Sequence, residues 1–216
     1  MNILIMGAAG SGKGTMSKKI LERYDIPHIS TGNMFRSAIT EGTELGRSAK
    51  LYMDQGHLVP DEITIAMVRE RLKKDDCQRG YLLDGFPRTL GQAIAFEWIS
   101  AAIGKPVQAV INLTVNLDDL ASRITGRRLC QKCGAIYHIT HQPPKVDGIC
   151  DVCGNGLIHR SDDTIEQLAV RLREHVIMTR PVLDHYRNLK LVYNVDASRD
   201  IETVWTDVDK ILANLR

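Results

Sequence analysis

The sequence predicts an α/β fold, a doubly wound parallel sheet of five strands with helices on both faces, and three observations carry that expectation. Short apolar runs alternate with amphipathic helical segments along most of the 216 residues, as parallel strands joined by crossover helices require. The first apolar run ends in Gly-Ala-Ala-Gly-Ser-Gly-Lys-Gly-Thr at 7–15, a strand–loop–helix junction that can cradle phosphate. From 126 to about 162 the helical period stops and Cys, Gly, Pro and His accumulate, which marks a small insert.

Taken in order, residues 2–6 are apolar, β-branched and bounded by glycine, and read as a buried strand. Helical character follows at 13–24, a short strand at 27–30, and two helices over 31–55 broken near Gly42. In 61–74, Ile63, Met67, Val68 and Leu72 are placed on one helical face. A strand at 81–84 stops at an acidic residue; 89–103 reads as a helix, 107–115 as a strand and 117–125 as a helix. After the insert a long helix is expected over 163–188, with Ile165, Leu168, Leu172 and Val176 striped along it. Asp163 and Glu166, three apart at its start, suit a capping arrangement. The last strand is placed at 191–195, and Ile201, Val204, Val208, Ile211 and Leu215 stripe a closing helix.

Composition narrows the function classes. The formal net charge of +2 gives no reason to expect a nucleic-acid or membrane partner, and no apolar run approaches the ~18 residues of a membrane span. The N-terminus has no basic region and no small-residue cleavage site ahead of the glycine loop, so no signal peptide is expected and a cytoplasmic location is. In a reducing compartment the five cysteines read as thiols or metal ligands before disulfides.

The glycine loop has a direct physical reading. Gly10, Ser11, Gly12, Lys13, Gly14 and Thr15 open a helix behind a strand. Glycines admit positive φ, so successive N–H groups converge on one anion, helped by the helix N-terminus. Lys13 adds a mobile point charge for the β- and γ-phosphates. The general pattern has Ser or Thr directly after the lysine, whereas here Gly14 intervenes. Asp84, at the end of a parallel strand beside that loop, is well placed to hold Mg²⁺ through water. By themselves, Thr31 reads as a helix N-cap and Arg36 as a solvated arginine.

The second chemical signal lies in the insert. Cys130-Gln-Lys-Cys133 and Cys150-Asp-Val-Cys153 are separated by sixteen residues and fit a tetrahedral Cys₄ zinc site. Gly134 and Gly154 follow the two pairs, as tight thiolate knuckles require. Four thiolates leave no open position, so the metal is expected to be structural. Iron or cobalt suits the same donors. Zinc knuckles also occur in nucleic-acid modules, but the insert holds only Tyr137 as an aromatic, too little for stacking single strands. Cys77, outside the insert, reads as a plain thiol.

The Gly-Lys-Gly-Thr form of the loop, Ser30-Thr-Gly-Asn-Met-Phe-Arg36, Asp84-Gly-Phe-Pro-Arg88 and the paired Cys motifs together resemble the adenylate kinase family, in its long bacterial form with a zinc lid. The resemblance covers essentially the whole chain. It implies a P-loop nucleoside triphosphate hydrolase type of fold, with a core of 1–29, 60–125 and 164–216, a helical AMP-binding domain at 30–59 and a zinc-binding lid at 126–163. It implies reversible transfer from Mg·ATP to AMP giving two ADP, by a monomer without nucleic-acid partners. The ATP site implied comprises the loop with Arg127, Tyr137 and Arg199. The AMP site implied comprises Thr31, Arg36, His57, Leu58, Val59, Gly85, Phe86, Pro87, Arg88, Gln92, Arg160 and Arg171, with Gln92 reading the adenine edge. The catalytic set implied is Lys13, Asp84, Arg88, Arg123, Arg127, Arg160 and Arg171, with Arg128 beside these arginines in the sequence and Asp162 and Asp163 near the lid hinge. The family often has proline at Ala9 and lysine at His57. His138 and His141 are expected on the lid surface or near nucleotide. Turnover on UMP, CMP or GMP, a regulator without turnover and a zinc-ribbon nucleic-acid binder remain the alternatives.

Overall fold

The computed structural model describes residues 1–215. Strand β1 (Asn2–Met6) leads through the glycine loop to α1 (Lys13–Arg23) and β2 (His28–Ser30). Next come α2 (Thr31–Thr40), α3 (Glu44–Met53), α4 (Asp61–Leu72), β3 (Tyr81–Asp84), α5 (Leu90–Ala102), β4 (Ala109–Thr114) and α6 (Leu117–Thr125). The cysteine-rich stretch forms β5 (Arg127–Cys130), β6 (Ile136–His138) and β7 (Leu157–Ile158). The chain continues with α7 (Ile165–Glu174), α8 (Arg180–Asn188), β8 (Val192–Asp196) and α9 (Ile201–Ala213).

Five strands form one parallel sheet in the order β2-β3-β1-β4-β8, as the alternating pattern predicts. Successive side chains of a strand face opposite sides, and both sides are dry. Leu4, Tyr81, Leu83 and Val110 enter one core with Phe86, Phe96 and Tyr186. Ile3, Ile5, Leu82 and Ile111 enter the other with Ile20, Val204 and Val208. Burying each such aliphatic side chain contributes about 1.5–3 kcal/mol, and this is why the strands read as continuous apolar runs. The register places Ile5 and Ser30 on either side of Asp84, so the loops leaving β1, β2 and β3 emerge side by side at the carboxyl end of the sheet.

The four apolar residues expected on one face of helix α4 divide between two. Val68 and Leu72 join the main core, while Ile63 and Met67 cover Phe35, Ala49 and Val59 of the α2–α3 unit. It is thus shared between the two packed bodies. The unit itself closes tightly: a Cβ on Gly46 would run into the Ala38 carbonyl.

The long helix expected after the insert is interrupted. A π turn, His175–Thr179, separates α7 from α8, and Pro181 stands in the first turn of α8. Proline has no N–H for the regular ladder, and the wider turn absorbs the break. The expected stripe therefore divides: Leu168 is buried and Leu172 packs beside it, whereas Ile165 at the helix start and Val176 in the turn are exposed. The insert forms its own antiparallel sheet, β6-β5-β7, around Cys130, Tyr137 and Cys150.

Gly46→Ala forces α2 and α3 apart. It is expected to cost about 1–3 kcal/mol and to lower Tm by about 2–4 °C per kcal/mol, measured by thermal denaturation.

Candidate active site

The loop between β1 and α1 is built around glycines whose backbone no other residue adopts readily. Gly7, Gly10 and Gly12 have φ of 143°, 83° and 91°, and a Cβ on Gly7 would lie 2.5 Å from the Leu113 carbonyl. No side chain caps α1, so its first N–H groups remain available to an anion. The Lys13 ammonium folds back on the loop, donating to the Gly7 and Ala8 carbonyls at 2.8 Å each. Burial lowers its pKa to about 8, against a pull the other way from Asp84. Thr15 lines the same cleft.

Asp84 ends β3 beside this loop. Burial would raise its pKa, but His28, Lys13 and Arg88 outweigh burial and hold the carboxyl below its usual range. The His28 Nε2 lies 3.6 Å from the Asp84 carboxylate, beyond hydrogen-bond length, and has no other partner. We therefore assign the effect of His28 to its proximity and not to a formed hydrogen bond.

Across the cleft, Gly85 organises the second pocket. Its carbonyl accepts from Thr31 Oγ1 at 3.0 Å and Arg88 Nε at 2.9 Å. Gln92 is buried; its Oε1 accepts from the Arg88 backbone N–H at 2.8 Å, and its Nε2 donates to Asp61 at 2.7 Å. Thr31, His57, Leu58, Val59, Gly85, Arg88 and Gln92 line a side pocket of about 60 Å³. Phe86 and Pro87 line the adjoining main cleft of about 1270 Å³. His57 Nδ1 pairs with Glu174 at 2.9 Å, tying the segment after α3 to the end of α7.

Arg36, Arg123, Arg127, Arg160 and Arg171 line the main cleft together with Lys13 and Arg88. Arg127 grips Asp163 through Nε at 2.7 Å and through Nη2. Arg171 donates to the Asp162 carbonyl at 3.0 Å and lies 3.3 Å from its carboxylate. Arg160 Nε is buried without a partner, as is Ser11 Oγ in the loop. Burial lowers the pKa of Arg88 to about 10, with Arg171 adding to it. Burial and the neighbouring Arg127 and Arg36 lower Arg160 to about 9. Unpartnered donors and crowded cations are the complement of a polyanion.

Other expected residues sit at the margins. Arg199 lines the cleft, paired with Asp207 and 3.8 Å from Asp196. Tyr137 reaches the cleft wall, yet its hydroxyl is spent on the lid, 3.5 Å from Cys150 Sγ and accepting from the Asp151 N–H at 2.8 Å. Arg128 donates to the Thr125 and Arg127 carbonyls. His138 bonds the Ser122 carbonyl through Nε2 at 3.0 Å, and His141 stacks on it.

Three residues at the site carry no sequence signal that distinguishes them. His28 belongs to an unremarkable strand. His175 lines the cleft, where burial and the charges of Lys13 and Arg88 lower it to about 4. Ile136 on the lid reaches the loop, 2.5 Å from where a Gly14 Cβ would stand, so the lid is packed over the cradle.

The four lid thiols converge. Their Sγ atoms all lie within 4.8 Å of one another, with Cys130–Cys153 at 3.4 Å and Cys133–Cys150 at 3.5 Å. These separations are far beyond a disulfide bond and close to the edges of a thiolate tetrahedron with ~2.3 Å metal bonds. Gly134 and Gly154 adopt φ of 74° and 69° and donate back to the Cys130 and Cys150 carbonyls at 2.9 Å. The donor set and spacing fit zinc. Cys77 is buried 3.1 Å from Arg71, outside this cluster.

Comparison with known proteins agrees with this geometry. The family model described as adenylate kinase matches residues 5–191. An adenylate kinase of Geobacillus sp. (strain WCH70) is 51% identical over 216 residues, covering all of both chains. That of Bacillus subtilis (strain 168) is also 51% identical over 216 residues with full coverage of both. An adenylate kinase of Archaeoglobus fulgidus is 47% identical over the same length, again with full coverage.

Lys13 attracts phosphate only while protonated, and its proton leaves as pH rises through about 8. In a pH series, kcat/KM for ATP is expected to fall above that value along a one-proton limb. Lys13→Arg keeps its charge there and is expected to lack the limb. The same limb in both proteins overturns the assignment.

Proposed function

This chain belongs to the adenylate kinase family and transfers a phosphoryl group from ATP to AMP, giving two ADP; we propose which of its residues carry each part of that reaction. The observation that supports the assignment best is a single lid-covered cleft in which a glycine cradle and an arginine-lined pocket face each other. The loop amides and Lys13 hold the donor phosphates. Arg36 and Arg88 hold the acceptor phosphate, Thr31 and Gln92 take its base, and His57, Leu58 and Val59 close the pocket. Arg123, Arg127, Arg160 and Arg171 neutralise charge on the moving group, as expected where catalysis is mostly positioning and electrostatic stabilisation. No general base is needed, because the acceptor phosphate is already an oxyanion. Tyr137 and Arg199 border the donor nucleotide.

Asp84, kept ionised, would hold Mg²⁺ through water, with the Thr15 hydroxyl as a further oxygen donor. The ion would offset phosphate charge. Cys130, Cys133, Cys150 and Cys153 would hold zinc, which would order an insert whose own core is small. We divide the chain into a core of 1–29, 60–125 and 164–216, an AMP-binding unit of 30–59 and a lid of 126–163; the separate α2–α3 cluster and the separate lid sheet support this. Both phosphate pockets come from one chain, which supports a monomer acting on nucleotides alone. Reduced cysteines suit the cytoplasm, and no helix among the described residues is long and apolar enough to cross a membrane.

Mg·ATP supplied with AMP, UMP, CMP or GMP is expected to give rapid diphosphate formation with AMP alone, followed by coupled assay. Faster turnover on another monophosphate overturns the base assignment but leaves the phosphate sites intact. For the lid, native mass spectrometry is expected to show one zinc per chain. Cys130→Ser is expected to lose the zinc and lower Tm; full zinc occupancy in that variant removes the thiolate assignment.

A further inference from the structure

We propose that Asp61 is a positioning residue that fixes which way round the Gln92 amide faces, and thereby sets adenine against guanine at the acceptor site. The proposal rests on Gln92 being the residue that meets the acceptor base.

Asp61 begins α4 and sits beside the first turn of α5, outside the residues that line the side pocket. Its two carboxylate oxygens have different partners. Oδ2 accepts from Thr89 Oγ1 at 2.6 Å and Oδ1 from Gln92 Nε2 at 2.7 Å. The Thr89 hydroxyl in turn accepts from the Gln92 backbone N–H at 3.1 Å, so both the helix turn and the side chain of Gln92 are tied to one carboxylate. Gly91 leaves room for this: a Cβ there would come within 3.3 Å of Asp61 Oδ2.

A glutamine amide is nearly symmetric in shape but not in chemistry, with two donors on nitrogen and two acceptor lone pairs on oxygen. Here a group that only accepts, the Asp61 carboxylate, faces Nε2, and a group that only donates, the Arg88 N–H, faces Oε1. The reversed amide would set nitrogen against N–H and oxygen against carboxylate. One donor and one acceptor remain for a ligand, in fixed order. Adenine offers an amino donor at C6 and an acceptor at N1, whereas guanine offers an acceptor and then a donor. The held amide matches the first, and guanine would leave buried polar groups unpaired.

Asp61→Ala removes the lock and leaves the Arg88 N–H alone to orient the amide. The expected result is a rise of about tenfold in KM for AMP, equal to ~1.4 kcal/mol, with kcat and KM for ATP little changed. The preference for AMP over GMP in kcat/KM is expected to fall by a similar factor. Asp61→Asn, which can still present an oxygen to Nε2, is expected to retain most of both, and its Tm separates loss of the lock from loss of folding. The deciding comparison is made in a Gln92→Ala background. If Asp61 acts through the amide, adding Asp61→Ala there changes KM for AMP no further. An undiminished second loss, or a folded Asp61→Ala protein with unchanged base preference, overturns the proposal. If Gln92→Ala itself leaves AMP binding and base preference untouched, the fault lies in the reading of Gln92 beneath it.

Discussion

The structure depends on holding more positive charge in one sheltered cleft than its own carboxylates neutralise. Burial drives the pKa of Lys13, Arg36, Arg88, Arg160 and Arg171 downward, which is the chemical signature of cations kept from water beside other cations. A base whose folded pKa is lowered binds its proton less well folded than unfolded. For Lys13 that opposes folding below about pH 8, and the opposition fades as pH rises toward the ordinary lysine value. Polyphosphate removes this opposition by supplying the missing charge, so ligand affinity is stored in the unfavourable electrostatics of the free site.

Such a cluster persists only if the surrounding structure overrides it. The two dry sheet faces supply the rigid floor, and the strand register brings the loops after β1, β2 and β3 together at the carboxyl end of the sheet. Asp162 and Asp163 supply the local compensation. Asp163 is fully buried between Arg127 and Arg171, a geometry in which removing one partner would strand a charge. Because Arg127 begins β5 and Arg171 lies on α7, the two ion pairs to Asp163 tie the small antiparallel sheet to that helix. A metal held by the four converging thiols would perform a complementary task in the insert, where few apolar residues are available to hold β5, β6 and β7.

Legibility followed the physics of each element. The parallel sheet was readable because strands buried on both faces cannot avoid being apolar throughout. The cradle and the cysteine pairs were readable because backbone curvature and tetrahedral thiolates restrict residue type at fixed spacing. Helix α4 was read as one-faced because Ile63, Met67, Val68 and Leu72 keep helical spacing, and spacing alone does not show that they divide between two packed bodies. The π turn was unreadable from periodicity, since Leu168 and Leu172 keep the helical spacing up to the break and only Pro181 hints at it. The arginines were legible only through resemblance: a single arginine carries no mark of whether it faces water or another arginine.

His175 shows how the break in the helix contributes to the site. It begins the π turn that Thr179 ends, and both residues line the cleft while Val176 and Ile177 between them are exposed. Thr179 Oγ1 donates to the Arg88 carbonyl at 3.1 Å, so the turn holds the backbone from which the Arg88 guanidinium extends. The backbone N–H of that same residue meets Gln92. Arg88 therefore joins the π turn to the base pocket through its main chain and to the phosphate cleft through its side chain. A regular helix through 175–179 would present its side chains in a different order along that wall, because a π turn spreads five residues over the space of one wider turn. With His175 lowered to about 4 by burial and the charges of Lys13 and Arg88, the wall contributes a neutral imidazole to the cleft. A further cation there would add to the repulsion that the fold already has to contain.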